Sequence, residues 1–369
     1  MDFEPALERQ PTGIANVTMG IASGLLERAE VQTFFFSRNK LLPRSFVLDY
    51  VSVSANRAQL AKTLASGGVQ FGNLNAAIEK FREGTKIGIY PNVKFLRPGF
   101  DFELQIIHDL TYLKYPQLHT METVNFYLNH FMNDINSNDL SVCDSDTTRH
   151  DLLTYAPHVQ NSCTVIYPGV AGPADPIGFT TDPIESKLPF FLLIGTVEPR
   201  KNLRLVAELL RSHPELSRMA EFVHIGRRGW IEKFNLSTLP GVRALGYVDD
   251  NTRWRLLHAA RALIFPSLYE GFGLPLIEAA RMGTMTISSL AGSLPEIAEP
   301  STTVFFDPTS VKSFHHAILS VLIGPPPSAE SKACLVQHSA SFSWKRYVEQ
   351  LIQEIDTRLA KPRMPWIIM

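Results

Sequence analysis

The chain has 369 residues but only three cysteines, Cys143, Cys163 and Cys334. None belongs to a C-x-x-C pair, so neither a zinc site nor a dithiol redox centre finds support. Scattered free thiols are what a reducing compartment leaves. An excess of charge is missing too: 35 Lys plus Arg against 36 Asp plus Glu give a net charge of −1. Proteins that grip nucleic acid through its phosphates are usually far more basic, and that class is set aside. No apolar run approaches the ~20 residues that span a bilayer. The opening MDFEPALERQPTG has neither the basic nor the apolar region of a secretory signal. These absences place the protein in the cytoplasm, either soluble or peripheral at the membrane face. What is present is an ordinary globular composition, 45% hydrophobic, in a length that suits about two domains.

Between Pro168 and Pro189 the chain holds five prolines and three glycines, a density that sustains neither helix nor central strand. The expected organisation is therefore a first domain over 1–168, a linker over 169–189, a second domain over 190–341, and a terminal helical segment over 342–369. The second half alternates apolar strands (190–195, 221–225, 242–248, 262–265, 284–287, 303–306) with helical stretches, one of which Asn202 is expected to cap. The first half shows the same units less regularly, with strands at 86–90, 102–107, 140–143 and 163–167. Alternation of this kind predicts an α/β fold with parallel sheets covered by helices on both faces. Ligands of such sheets sit at the carboxyl ends of strands.

Two stretches carry chemistry. In Phe265-Pro-Ser-Leu-Tyr-Glu-Gly-Phe-Gly-Leu-Pro-Leu-Ile-Glu278, a strand runs into a glycine-flanked loop with Glu270, and Pro275 then opens a helix with Glu278 in its first turn. The N–H groups of that helix start can hold phosphate, and two nearby carboxylates can take sugar hydroxyls. Equally, Glu278 can serve only the helix dipole and Glu270 can be an exposed loop acid. That loop placement predicts that Glu270→Ala shifts the melting temperature by no more than a few degrees. In Gly195-Thr-Val-Glu-Pro-Arg200-Lys201-Asn202, two cations sit at a strand-to-helix turn, suited to a diphosphate. A solvated surface pair is the alternative.

GTVEPRKN followed by E-x7-E in YEGFGLPLIEA resembles the large family four of retaining glycosyltransferases, which have the GT-B fold of two Rossmann-like domains facing across a cleft. The resemblance takes in Gly226-Arg-Arg-Gly-Trp230, Gly246-Tyr-Val248 and Gly292-Ser-Leu-Pro-Glu296, and in the first half Thr12-Gly13-Ile14, His108-Asp-Leu110 and Tyr167-Pro-Gly-Val170. It implies that Arg200 and Lys201 neutralise the donor diphosphate and that Glu270 holds hydroxyls of the transferred sugar. Backbone N–H groups of Phe272, Gly273 and Leu274 would face sugar and phosphate, Glu278 the ribose, and Val248 the base. Gly13 would let backbone approach the diphosphate, and His108 would stand near sugar and acceptor; without the resemblance, His108 reads as a core histidine at a strand end. The loop at Gly13 has one glycine where the family has a pair, and few residues precede it for a first strand.

The resulting expectation is a retaining hexosyltransferase with no cofactor and no metal, acting on a glycan or lipid-linked acceptor in polysaccharide or lipopolysaccharide synthesis; the resemblance favours mannose from GDP-mannose as donor, with rhamnose and glucose donors left open. A nucleotide-sugar epimerase of the same fold and a non-catalytic nucleotide-sugar-binding subunit are the alternatives. Asp144-Ser-Asp146 is a literal D-x-D, but Asp and Ser clusters commonly cap helices, and both acids are expected to be structural. Between Phe34 and Leu64, five cations (Arg38, Lys40, Arg44, Arg57, Lys62) interleave with Phe34, Phe35, Phe36, Leu41, Leu42 and Phe46. Such a segment can rest on anionic lipid, or it can be a core strand followed by a solvated loop.

Overall fold

The computed structural model describes residues 1–7, 12–52, 57–80, 84–96, 99–173, 188–230, 235–359 and 367–368. Most of the proline-rich linker lies outside these residues. The chain divides into two compact units. One comprises Met1–Leu113, Glu122–Ala171 and Phe342–Met369; the other comprises Lys114–Met121 and Gly172–Ser341. The short stretch Lys114–Met121, early in the sequence, thus belongs with the later unit, where the Tyr115 ring lies 5.4 Å from that of Tyr269.

The second unit is built on six parallel strands in the order Val242–Gly246, Glu221–Ile225, Phe190–Ile194, Ala262–Phe265, Thr286–Ser289, Thr303–Phe306. In sequence terms this is 3-2-1-4-5-6. The order reverses between Phe190–Ile194 and Ala262–Phe265, and the crevice beyond the carboxyl ends of those two strands is where such sheets take ligands. Both strands are buried on both faces, which is why they read as unbroken apolar runs. The helix Leu203–Ser212 covers one face and buries Leu203, Leu205, Val206, Ala207, Leu209 and Leu210. Against it pack Phe314, Ala317, Ile318 and Val321 of the helix Val311–Ile323. Each fully buried aliphatic side chain contributes about 1.5–3 kcal/mol.

The first unit carries a second parallel sheet: Gln32–Thr33, Ile367–Ile368, Lys86–Tyr90, Phe102–Ile107, Leu140–Cys143, Cys163–Val165. Its second position is shared by the two ends of the chain. Ile367 and Ile368 pair with Gln32 and Thr33 on one side and with Lys86 and Ile87 on the other. Residues 1–3 then prolong the same position: the Asp2 N–H donates to the Ile89 carbonyl at 2.8 Å, and the Phe36 N–H donates to that of Met1 at 3.0 Å. The first strand that the sequence left little room for is therefore a composite, and Glu4–Leu7 forms a 3-10 turn instead of extending it. The terminal helix Trp344–Leu359 packs on the helix Gly13–Leu26 and buries Tyr347, Val348, Leu351 and Ile355.

Most of the described apolar residues of the segment after Phe34 face inward, while Leu48 is exposed. Phe35, Phe36, Leu42 and Phe46 are buried, and Phe3 and Tyr50 stack edge-on in the same core. This segment takes the form of a short antiparallel hairpin, Phe35–Ser37 with Lys40–Leu42, and a helix, Arg44–Ser52, not of an apolar surface. Among the described residues, no helix is long and apolar enough to cross a membrane.

Candidate active site

The strand Phe190–Ile194 ends at Gly195, and the chain turns through Pro199–Lys201 into the helix Leu203–Ser212. Asn202 begins that helix, but its side chain does not cap it, contrary to the sequence expectation. Asn202 adopts left-handed backbone (φ +53) and donates from its amide to the carbonyls of Pro266, at 3.1 Å, and Pro308, at 2.9 Å. One side chain thus ties the cationic turn to the end of the neighbouring strand.

That tie sets Arg200 and Lys201 against the loop after Ala262–Phe265. Arg200 donates to Glu270 at 2.5 Å and to Glu198 at 2.7 Å. Lys201 donates to the other Glu270 oxygen at 2.7 Å, and Ser267 donates to the same oxygen at 2.6 Å. The loop-acid alternative for Glu270 fails here: it is only 6% exposed. Burial pushes its carboxyl upward, but Arg200 and Lys201 outweigh burial and hold it at about 2. The expectation that Glu270→Ala shifts the melting temperature by no more than a few degrees needs correction, because removal takes the carboxylate from largely buried Lys201 and leaves Arg200 with Glu198 alone as its carboxylate partner. The surface-pair alternative for Arg200 and Lys201 goes the same way, since their side chains are 16% and 15% exposed. Charges in this group balance, two carboxylates against two cations. Glu198 is the member that sequence reasoning left without a role, although it lies inside the GTVEPRKN motif.

Close backbone contacts fix the loops. A Cβ on Gly226 would lie 2.0 Å from the Gly195 carbonyl oxygen, and one on Gly292 would lie 2.4 Å from that of Glu270. Ser293 locks the second loop by donating from its N–H and its hydroxyl to the Glu270 carbonyl, each at 3.1 Å. Its hydroxyl also reaches the Phe272 carbonyl at 2.8 Å. Gly273 caps the helix Leu274–Arg281 with Pro275 in the first turn, so its N-terminus opens at the end of this loop.

Glu278 is buried in that helix and accepts from Arg253 at 2.6 Å. Burial pushes its carboxyl upward, with Arg253 opposing. Arg253 belongs to the helix Asp250–Ala259, which follows Val248, and it also pairs with Asp250 at 3.2 Å. Sequence reasoning missed Arg253, because nothing local marks it as Glu278's partner.

Gly13 and His108 belong to the first unit. Gly13 is the exposed first residue of its helix, capped by the Thr12 hydroxyl, with open space where a side chain would be. His108 follows the strand Phe102–Ile107. Its Nδ1 lies 2.6 Å from an Asp144 oxygen and its Nε2 lies 2.7 Å from the Pro91 carbonyl. A carbonyl only accepts, so Nε2 carries a proton, and Nδ1 shares a second proton with the Asp144 oxygen. Burial works against a charged ring, but Asp144 outweighs it and raises the pKa of His108 above the usual 6.5. Asp144 of the D-x-D is thus the partner of His108. Ser145 caps the helix Asp146–Tyr155, and Asp146 sits in its first turn.

A parallel sheet ordered 3-2-1-4-5-6 with a charge-balanced cluster at its order reversal, together with a second parallel-sheet unit in the same chain, fits an α/β fold of the GT-B class. The comparisons agree. Residues 180–334 match the family model "Glycosyl transferases group 1". The O-antigen chain mannosyltransferase B of Escherichia coli is 28% identical over 280 residues, covering 72% of this chain and 73% of that protein. The serotype-specific mannosyltransferase WbdA of Escherichia coli is 32% identical over 167 residues, which is 42% of this chain and 20% of that protein. Among solved structures, Anabaena HepE in complex with UDP and glucose superposes with a TM-score of 0.63 at 14% identity, covering 95% and 97% of the two chains. The sucrose-phosphate synthase of Thermosynechococcus elongatus gives 0.56 at 21% identity, covering 72% and 70%. The chain carries a group 1 glycosyltransferase domain and is a glycosyltransferase.

Proposed function

We propose that the protein is a retaining mannosyltransferase that takes mannose from GDP-mannose and adds it to a glycan or lipid-linked acceptor in O-antigen or related polysaccharide synthesis. The observation that carries this reading is the Arg200–Lys201–Glu270 cluster at the carboxyl ends of the two central strands. The names of the curated relatives favour mannose.

In this reading the donor diphosphate takes Arg200 and Lys201, with the start of the helix Leu274–Arg281 as further anion support. Glu270 then holds hydroxyls of the mannose, Glu278 the ribose, and Val248 borders the base. The acceptor hydroxyl attacks the anomeric carbon on the face that the nucleotide leaves, and a donor phosphate oxygen takes its proton. The carbon–oxygen bond to the nucleotide breaks, GDP departs, and the anomeric configuration is kept. The cations carry the growing charge on the phosphate, so no metal is required, and transfer survives EDTA. A lipid-linked acceptor brings the protein to an anionic membrane face, which flotation with anionic vesicles at low salt tests.

The deciding experiment is a thermal-shift panel of nucleotide sugars, followed by transfer from the stabilising donor and NMR of the product's anomeric proton. GDP-mannose should stabilise the protein most and give an α-glycoside. Stabilisation by UDP-glucose alone, or an inverted product, overturns the reading.

A further inference from the structure

The second unit carries a group of side chains that sugar transfer does not use. The helix Leu203–Ser212 starts beside Lys201 and runs ten residues away from it, about 15 Å at 1.5 Å per residue. His213 ends that helix, and Glu215 follows at the start of the short helix Leu216–Met219. His315, in the helix Val311–Ile323, comes alongside. The rings of His213 and His315 stack, with centroids 3.7 Å apart and planes 10° from parallel. His213 Nδ1 lies 3.2 Å from a Glu215 carboxylate oxygen. One ligand atom from each of the three residues falls within 4.8 Å of the others.

Face-to-face imidazolium rings repel, so at neutral pH at least one ring presents a lone pair. Ligands bound at ~2.0–2.1 Å in a tetrahedral site stand roughly 3.3 Å apart, close to the His213–Glu215 separation. The other ligand atoms lie within 4.8 Å, so closing on one ion needs at most about 1.5 Å of movement together with a tilt of the stacked rings, whose lone pairs lie in the ring planes. The His213 and Glu215 side chains, 31% and 56% exposed, are free enough to make it. Two imidazoles and one carboxylate suit a borderline transition metal over Mg²⁺ or Ca²⁺, which want all-oxygen shells.

We propose that His213, Glu215 and His315 form a divalent transition-metal site, with Zn²⁺ the best-fitting ion and water completing its shell. It staples the far end of the helix Leu203–Ser212 to the helix Val311–Ile323. The test uses tag-free, chelator-stripped full-length protein titrated with ZnCl₂ by calorimetry, with thermal shift in parallel. One equivalent should bind saturably at micromolar concentration and raise the melting temperature, while Mg²⁺ does neither. His213→Ala and His315→Ala should each weaken binding at least tenfold, while melting in EDTA like the wild type, so that lost binding is not lost folding. His150→Ala, in the other unit, should bind as the wild type does. No saturable binding, or binding unchanged in both His213→Ala and His315→Ala, overturns the proposal.

Discussion

Replacing Glu270 by Gln keeps the shape of the side chain and removes its charge. The cost follows from its surroundings. Glu270 is buried, both of its oxygens are occupied, and Arg200 and Lys201 hold its carboxyl at about 2 against an ordinary 4.5. That difference corresponds to on the order of 3 kcal/mol of native-state stabilisation. Breaking a buried ion pair from one side typically costs about 3–5 kcal/mol. Here Glu198 still pairs with Arg200, which argues for the lower end. For a unit of this size, ~3 kcal/mol lowers the melting temperature by roughly 6–12 °C. Scanning calorimetry at pH 7 and pH 3.5 measures it. A depressed carboxyl contributes fully above 4.5 and loses its contribution as pH falls towards about 2, so the gap between wild type and variant should be smaller at pH 3.5. Inorganic pyrophosphate should stabilise the variant more than the wild type, because it restores negative charge beside Lys201 and Arg200. A drop below about 2 °C, or the same gap at both pH values, refutes the reasoning.

Arg200→Ala and Lys201→Ala should each reduce transfer by roughly tenfold or more, the scale of a lost charge-assisted contact; wild-type donor binding and turnover in both would remove them from the site. Arg253→Leu should leave the burial of Glu278 unopposed and raise its carboxyl further. As pH is lowered, GDP affinity measured by calorimetry should then begin to fall at higher pH than in the wild type, and a profile that coincides with the wild type's would sink the assignment of Glu278 to the ribose. Asp144→Asn should lower the pKa of His108, followed by NMR of the ring protons. Because the pKa of native His108 is raised, its stabilising contribution is full below 6.5 and is lost as pH rises through the native value; in the variant that loss should begin at lower pH, and an unmoved titration would refute the coupling.

The central strands of the second unit were legible because burial on both faces leaves unbroken apolar runs, as in Phe190–Ile194 and Ala262–Phe265. The motif residues stood out because their chemistry is dense locally: two adjacent cations, and two acids eight positions apart. What escaped is what distance in sequence hides. Arg253 meets Glu278 across 25 residues, and Asn202 reaches Pro308 across 106. The composite strand had no signal at all, since two residues at one end and three at the other are too short for any periodicity. The direction of Phe35, Phe36 and Phe46 was equally hidden, because an aromatic run reads alike whether it packs inward or faces a membrane.

The two glycine contacts have a consequence for how this site can change over generations. Gly226 leans on the Gly195 carbonyl and Gly292 on that of Glu270, so backbone meets backbone without side chains that could be exchanged. A substitution there would push apart the strand ends that present Arg200, Lys201 and Glu270. The backbone under Arg200, Lys201 and Glu270 is in effect frozen, and under the proposed function new donor preferences would be acquired elsewhere. Arg253, paired with Glu278 and away from those contacts, is a position where, under the proposed function, mutation would retune the choice of nucleotide and leave the Arg200–Lys201–Glu270 cluster intact.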